Sequence, residues 1–247
     1  MMRIEFIGAP YVGKSFLFKK IYAKRNQLSS KLVFEQDLLN SSYQIKLLRL
    51  INKLLNIFFS KSFNFHDTKL NSSMLNRYAD VLYPFFQQQQ SLNSSNVKDI
   101  LFFSKCHSLI ISRIKKYETV GRNIGNTKTL IVEESILHWH LVLKKYFYSN
   151  FKEYSIHDES LKAIIYCYAP KKVIKERFKL RSENNLINSN HRTIDEDEVF
   201  VDIIKTQQYF LDLTDNISKT KPVLKINTAD DIELNLIKVI NFLNENS

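Results

Sequence analysis

Apolar positions along the chain fall into two rhythms. Short apolar runs, "RIEFI" at 3–7, "KLVF" at 31–34, "TLIVE" at 129–133, "AIIYCYA" at 163–169 and "VLKIN" at 223–227, have strand character. Four are rich in β-branched or aromatic residues and read as buried parallel strands, while "KLVF" is shorter and weaker. Between them, helical spacing predicts helices at 14–25, 134–150, 171–181 and 195–217, and "DIELNLIKVINFLNE" closes the chain with another. Residues 38–118 read as mostly helical, with Ser/Asn-rich loops near "SFNFHDTKLNSS" and "SLNSSN". Strands alternating with helices predict an α/β chain of three layers around a central, mainly parallel five-stranded sheet. No internal repeat is present.

The first turn supplies the chemistry. Between the first strand and the first helix stands Gly8-Ala9-Pro10-Tyr11-Val12-Gly13-Lys14-Ser15, which fits G-x-x-x-x-G-K-[ST], the P-loop. Two of the chain's four glycines are spent here. Gly8 and Gly13 let successive backbone N–H groups face a phosphate, and the following helix adds the positive end of its dipole. Lys14 carries a full charge toward the β and γ phosphates, and the Ser15 hydroxyl suits Mg²⁺, a hard cation that takes oxygen ligands. The segment from Gly8 to Phe16 is therefore the expected nucleotide site, with ATP and Mg²⁺ as cofactors. The bland alternative is a chance match at a strand-to-helix turn.

A second acidic element completes the metal site. "TLIVEES" ends an apolar strand in Glu133 and Glu134, and an acid at the tip of a strand beside a P-loop holds Mg²⁺ or its waters. One of the pair can also accept a proton from an acceptor hydroxyl, and which acid does which stays open. A solvated pair of acids at a strand end is the structural alternative.

These motifs resemble the nucleoside- and nucleotide-kinase-like branch of the P-loop proteins, most nearly its thymidylate-kinase-like members. "GAPYVGKS" is similar to that family's "GAPGxGK" loop, with Tyr11 where glycine is usual, and "LIVEES" to its strand ending in acids, where Asp-Arg or Asp-Glu is common. By the same resemblance Arg113, in "SLIISRIKKYE", grips the acceptor, with Arg77 a second candidate. "IIYCYAPKKVIKERFKLRSENNLINSNHR" resembles the family's strand, helix and lid, which implies phosphate-facing roles for Arg177, Arg181 and Arg192 and a lid at about 177–194. Ordinary surface basic residues are the alternative for each arginine. "VLKINTADDIELNLIKVINFL" resembles the family's closing strand, turn and last helix, which implies that Asn227 and Thr228 border the adenine. The resemblance implies one P-loop kinase-like domain over 1–247, with an acceptor-side helical region at about 38–118, transferring the γ-phosphoryl group of ATP to a hydroxyl or phosphate. The competing class is a P-loop nucleotide-binding regulator with weak NTPase activity. No N-K-x-D motif supports a GTPase, and the intact Gly-Lys-Ser ending argues against a sulfotransferase.

Composition narrows the partners. Lys and Arg number 36 against 25 Asp and Glu, a balance that attracts phosphate-bearing ligands. The basic residues are spread along the chain, which disfavours a dedicated nucleic-acid site. In "QIKLLRLINKLLNIFFSK", Lys46, Arg49, Lys53 and Asn56 form a polar stripe on an apolar helix. Packing against the core or in a homodimer explains it more simply than contact with a membrane surface. Cys106 and Cys167 are expected to be reduced thiols, and with neither a signal sequence nor a long apolar span the chain is expected to be soluble and cytoplasmic. His138 and His140 stand two apart on a predicted helix and so do not share a face, which argues against zinc.

Overall fold

The computed structural model describes residues 2–37, 104, 108–114, 117, 127–134, 136–138, 160–184 and 196–247. Five strands, β1 Met2–Ile7, β2 Leu32–Phe34, β3 Thr129–Glu133, β4 Leu161–Tyr168 and β5 Val223–Asn227, form one sheet in the order β2-β3-β1-β4-β5. Every neighbouring pair is parallel, so the sheet is wholly and not only mainly parallel. β4 begins two residues before the expected "AIIYCYA", because Leu161 pairs with Arg3 of β1 across a register shift at Lys162. The described helices are α1 Lys14–Ala23, α2 Lys171–Glu183, α3 Glu196–Ile217 and α4 Ile232–Glu245.

Alternation along the strands builds a core on each side of the sheet. Ile4, Phe6, Ile131, Ile165 and Cys167 pack with Leu17 and Phe18 of α1 and with Leu236 and Val239 of α4. On the other face Ile7, Ile164 and Tyr166 pack with Phe210 and Leu213 of α3. Buried positions at helical spacing explain why α1 lies flat on the sheet: Lys14, Leu17, Phe18 and Ile21 share one face. Phe6, Phe18 and Phe34 interlock edge to face, with centroids 5.1 and 5.7 Å apart. α, β and α layers result.

Arg3 and Glu5 sit in this interior as an ion pair at 2.6 Å, both essentially buried. Glu5 Oε1 also accepts from the backbone N–H of Leu137 at 3.1 Å, which pins the short helical stretch 136–138 just past β3. That bond ties the segment carrying Glu134 to the central strand.

The sheet order runs one way from β1 to β2 and β3 and the other way to β4 and β5. In open α/β sheets, such a reversal leaves a crevice at the carboxyl ends of the strands, where ligands bind. The turn at Gly8–Gly13, the acids after β3 and the residues after β4 and β5 all lie at that edge.

Residues 38–103 of the predicted helical region 38–118, most of 134–150 and the lid residues 185–194 lie outside the described residues, together with Arg77, Arg192 and His140. Residues 177–183, assigned above to a lid, are a continuous part of α2. Their amphipathic spacing, with Ile174 and Phe178 buried, keeps them helical. Among the described residues no helix is long and apolar enough to cross a membrane.

Candidate functional site

The P-loop is shaped by close approach. A Cβ at Gly8 would stand 2.5 Å from the Cys167 carbonyl oxygen of β4, so only glycine lets the loop lie against that strand. Gly13 has φ +94°, and a Cβ there would come within 2.8 Å of the Arg177 guanidinium. Tyr11 also has a positive φ, 64°, unusual for a side chain of that bulk. It is held there by packing: its ring meets Phe178 of α2 edge to face at 5.2 Å, and the Arg181 guanidinium lies 5.3 Å over its centre. The tyrosine that departs from the usual loop sequence thus joins the loop to α2.

At the loop's end Lys14 turns toward the acids. Its ammonium, 4 % exposed, donates to Glu134 Oε1 at 2.6 Å and to Glu133 Oε1 at 3.0 Å. Ser15 Oγ donates to the same Glu133 oxygen. Both acids reach the loop because β3 lies beside β1, with Glu133 in register with Phe6. Glu134 takes φ 50° as the chain leaves the strand, and its N–H bonds to the Phe6 carbonyl at 3.2 Å.

Charge sets the protonation states here. Burial works to lower the Lys14 pKa, but Glu134 and Glu133 outweigh it and hold the ammonium above its ordinary 10.5. Burial likewise works against ionised Glu134, and Lys14, with His138 and Arg113, outweighs it, so that carboxyl is held below its ordinary 4.5. His138, buried edge-on to Phe210, is pushed down to about 4 by burial. The cluster is therefore a cation between two carboxylates, with a neutral imidazole behind.

Arg113 extends the cluster. It donates to Glu35 at 2.5 Å, and Glu35 is the buried residue immediately after β2. The sequence singled out Arg113 but not Glu35, although an acid directly after an apolar strand is the same signal that marked Glu133. The weakness of "KLVF" as a strand hid it.

Arg177 is placed differently from the other expected arginines. It donates to the carbonyl oxygens of Val12 and Thr228 and to Thr228 Oγ1, the last two at 2.9 Å. Thr228 Oγ1 donates in turn to the Val12 carbonyl, and the Thr228 N–H bonds to the Tyr168 carbonyl at 2.8 Å. Together they clamp the P-loop to the turn after β5. Asn227, expected at the base, directs its side chain to its own turn, accepting from Ala229 N at 3.1 Å and donating to Asp230 at 2.7 Å.

A cleft of about 320 Å³ opens beside this clamp, lined among others by Tyr11, Phe16, Leu180, Arg181, Thr228 and Asn235. Thr228 enters it and Asn227 does not. Asn235 was missed in the sequence, although it is a polar residue on the buried face that α4 shares with Leu236, Val239 and Leu243. Of the remaining loop residues, Ala9 and Val12 are buried, and Phe16 is 58 % exposed at the cleft rim. Cys167 is a buried thiol pushed up to about 12 by burial, a packing group as its apolar run predicts.

The donor set fits a magnesium nucleotide. A serine hydroxyl and a carboxylate in direct contact are hard oxygen donors of the kind Mg²⁺ takes, at the end of a loop with the P-loop sequence. α1 begins at this loop with no acid in its first turn and no side-chain cap on its N-terminus. Its leading amides remain available to an anion.

No family model and no curated protein matches the chain. Among solved structures it is similar to deoxyadenosine kinase from M. mycoides with bound dATP, at a TM-score of 0.46 and 15% identity, covering 98% of this chain and 100% of that one. It is similar also to the same kinase with the products dCMP and a flexible dCDP bound, at 0.49 and 14%, covering 99% and 100%.

Proposed function

We propose that the chain is an ATP-dependent small-molecule kinase of nucleoside- or nucleotide-kinase-like type, its loop and acid-tipped strand resembling those of thymidylate-kinase-like members. The observation that carries this reading is the meeting of Lys14 and Ser15 with Glu133 and Glu134 at the carboxyl edge of the sheet.

In the proposed site the backbone N–H groups of the Gly8–Ser15 loop, Pro10 having none, and the start of α1 surround the triphosphate, and Lys14 exchanges a carboxylate for a β- or γ-phosphate oxygen. Ser15 and Glu133 would hold Mg²⁺, which when bound neutralises charge on the phosphate oxygens. Glu134, kept ionised, accepts the proton of the acceptor hydroxyl as that oxygen bonds to the γ-phosphorus and the bond to the β-phosphate oxygen breaks. Arg113, fixed by Glu35, orients the acceptor. Arg181, anchored on Tyr11, supplies charge to the transferring group, whereas Arg177 positions the loop.

Adding a nucleoside and nucleotide pool to purified protein with ATP and Mg²⁺ tests the reading. Consumption of ATP that depends on the pool, and is lost in Lys14→Ala, is expected. Wild-type turnover in Lys14→Ala, or slow hydrolysis indifferent to any acceptor, contradicts it.

A further inference from the structure

β4 ends at Tyr168, whose partner on β5 is Asn227, and α2 begins at Lys171. Ala169 lies between them, past the sheet ladder and buried, so its backbone groups need partners within the protein. One side chain supplies both. Gln207 of α3 accepts from the Ala169 N–H at 3.0 Å and donates from Nε2 to the Ala169 carbonyl at 3.0 Å. A primary amide carries an N–H and a C=O in one plane, as a peptide does, so Gln207 adds one more rung beyond the last strand pair.

Gln207 is itself anchored to the sheet. Phe210 and Leu213 pack α3 on Ile164 and Tyr166, and the Tyr166 hydroxyl donates to the Gln207 carbonyl at 2.8 Å. After Ala169 comes Pro170, at φ −58°, which has no N–H and no side-chain cap to offer α2. The direction in which α2 leaves the sheet is therefore set at Ala169, and α2 is a lever on that pivot. Arg181 stands eleven residues past Pro170, about 16 Å along a helix that rises about 1.5 Å per residue. A tilt of about 5° at the pivot moves Arg181 by about 1.4 Å and Arg177 by about 0.9 Å over those lengths. Misplacement by about 1 Å can lower a rate about 10²-fold, and hydrogen bonds weaken steeply once donor and acceptor leave their line.

We infer that Gln207 is a positioning residue, fixing the pivot from which α2 brings Arg177 onto the Val12 and Thr228 carbonyls and Arg181 over the Tyr11 ring. Its effect on phosphoryl transfer, through Arg181, rests on the proposed kinase site, whereas its effect on the Arg177 clamp stands on the fold alone. A Gln207 that only satisfied the Ala169 peptide would add stability and leave both arginines where they are.

Gln207→Met, close in length and bulk but without the hydrogen bonds, tests this in two ways. In urea unfolding, Arg177→Ala is expected to lower the folding equilibrium constant by a factor about threefold or more smaller in the Gln207→Met background than in the wild type. Gln207 and Arg177 share no hydrogen-bond partner among the described residues. Independent sites add to within about twofold in that constant, so losses that multiply within that margin overturn the inference. In kinetics with ATP, Mg²⁺ and a phosphorylated acceptor, Gln207→Met is expected to lower kcat about tenfold and to keep the KM for ATP within about threefold. Adding Gln207→Met to Arg181→Ala is expected to leave kcat within about twofold of Arg181→Ala alone. Full kcat in Gln207→Met, or losses that multiply in the double variant, overturn it. Gln207→Glu keeps the acceptor for the Ala169 N–H and lacks the donor; it is expected to fall between wild type and Gln207→Met, and it carries both comparisons if the methionine variant does not fold. Wild-type protein that consumes no ATP with any acceptor contradicts the proposed kinase, while the unfolding comparison still decides the role of Gln207.

Discussion

Lys14 donates to Glu134 at 2.6 Å from a position 4 % exposed, so the P-loop cation is buried against the acid that follows β3. Each charge holds the other ionised: the ammonium is raised above 10.5 and the carboxyl lowered below 4.5. Without a counter-charge, burial would neutralise either one. Glu134→Gln is therefore expected to leave Lys14 with Glu133 alone and to lower turnover by 10²-fold or more, as loss of a proton acceptor does. Steady-state kcat with circular dichroism as a folding control checks it, and unchanged kcat would assign the proton to another group.

His138 gives the molecule an acid-side pH dependence. Its folded-state pKa, about 4, lies below the ordinary 6.5, so the unfolded chain takes up a proton that the folded one refuses. Above 6.5 neither state binds it, and between 6.5 and about 4 stability falls as pH falls, by up to ~1.4 kcal/mol per pH unit. Urea unfolding of wild type and His138→Phe across that window is expected to show a shallower slope in the variant. Parallel slopes would mean the imidazole titrates normally.

Arg177 and Arg181 stand four apart on α2 and are expected to fail differently. Arg177→Ala leaves the Thr228 carbonyl without its guanidinium donor and the Val12 carbonyl with Thr228 Oγ1 alone, and is expected to lower stability by about 1.5–3 kcal/mol, the range for hydrogen bonds to a charged group. Arg177→Lys should not rescue it, because an ammonium lacks the planar fork. Arg181 is exposed on the Tyr11 ring, and Arg181→Ala is expected to cost less than about 1 kcal/mol while lowering kcat. Chemical denaturation read beside kinetics separates the two, and equal stability losses would contradict the division.

Tyr11 carries opposing effects whose sizes decide the sign. Tyr11→Gly relieves the left-handed backbone at φ 64°, worth about 1–2 kcal/mol. It also deletes a ring buried against Phe178, where truncation of a large aromatic costs about 3–5 kcal/mol. Net destabilisation by about 2 kcal/mol is expected from denaturant midpoints. A more stable Tyr11→Gly would mean the ring contributes little to joining loop and helix.

The sheet and the loop were legible because each had a local signature. "TLIVE" and "VLKIN" match β3 and β5 residue for residue: the first is an apolar run covered on both faces, and the second is an edge strand that exposes Lys225. Gly8 and Gly13 were legible because only glycine tolerates those approaches. Glu35, Asn235 and the Arg177 clamp were not, because each acts through contacts across 78, 8 and 165 or 51 positions that no local pattern records. Arg177 and Arg181 look alike in sequence, and only the turn after β5 makes one a clamp and leaves the other on an aromatic ring.

Titration of the folded protein with ATP and Mg²⁺ by calorimetry bears most directly on the P-loop cluster. Saturable binding by the wild type, abolished in Lys14→Ala with the fold intact by circular dichroism, is the expected result. No heat from the wild type, or equal affinity in the variant, would contradict a triphosphate held by Lys14.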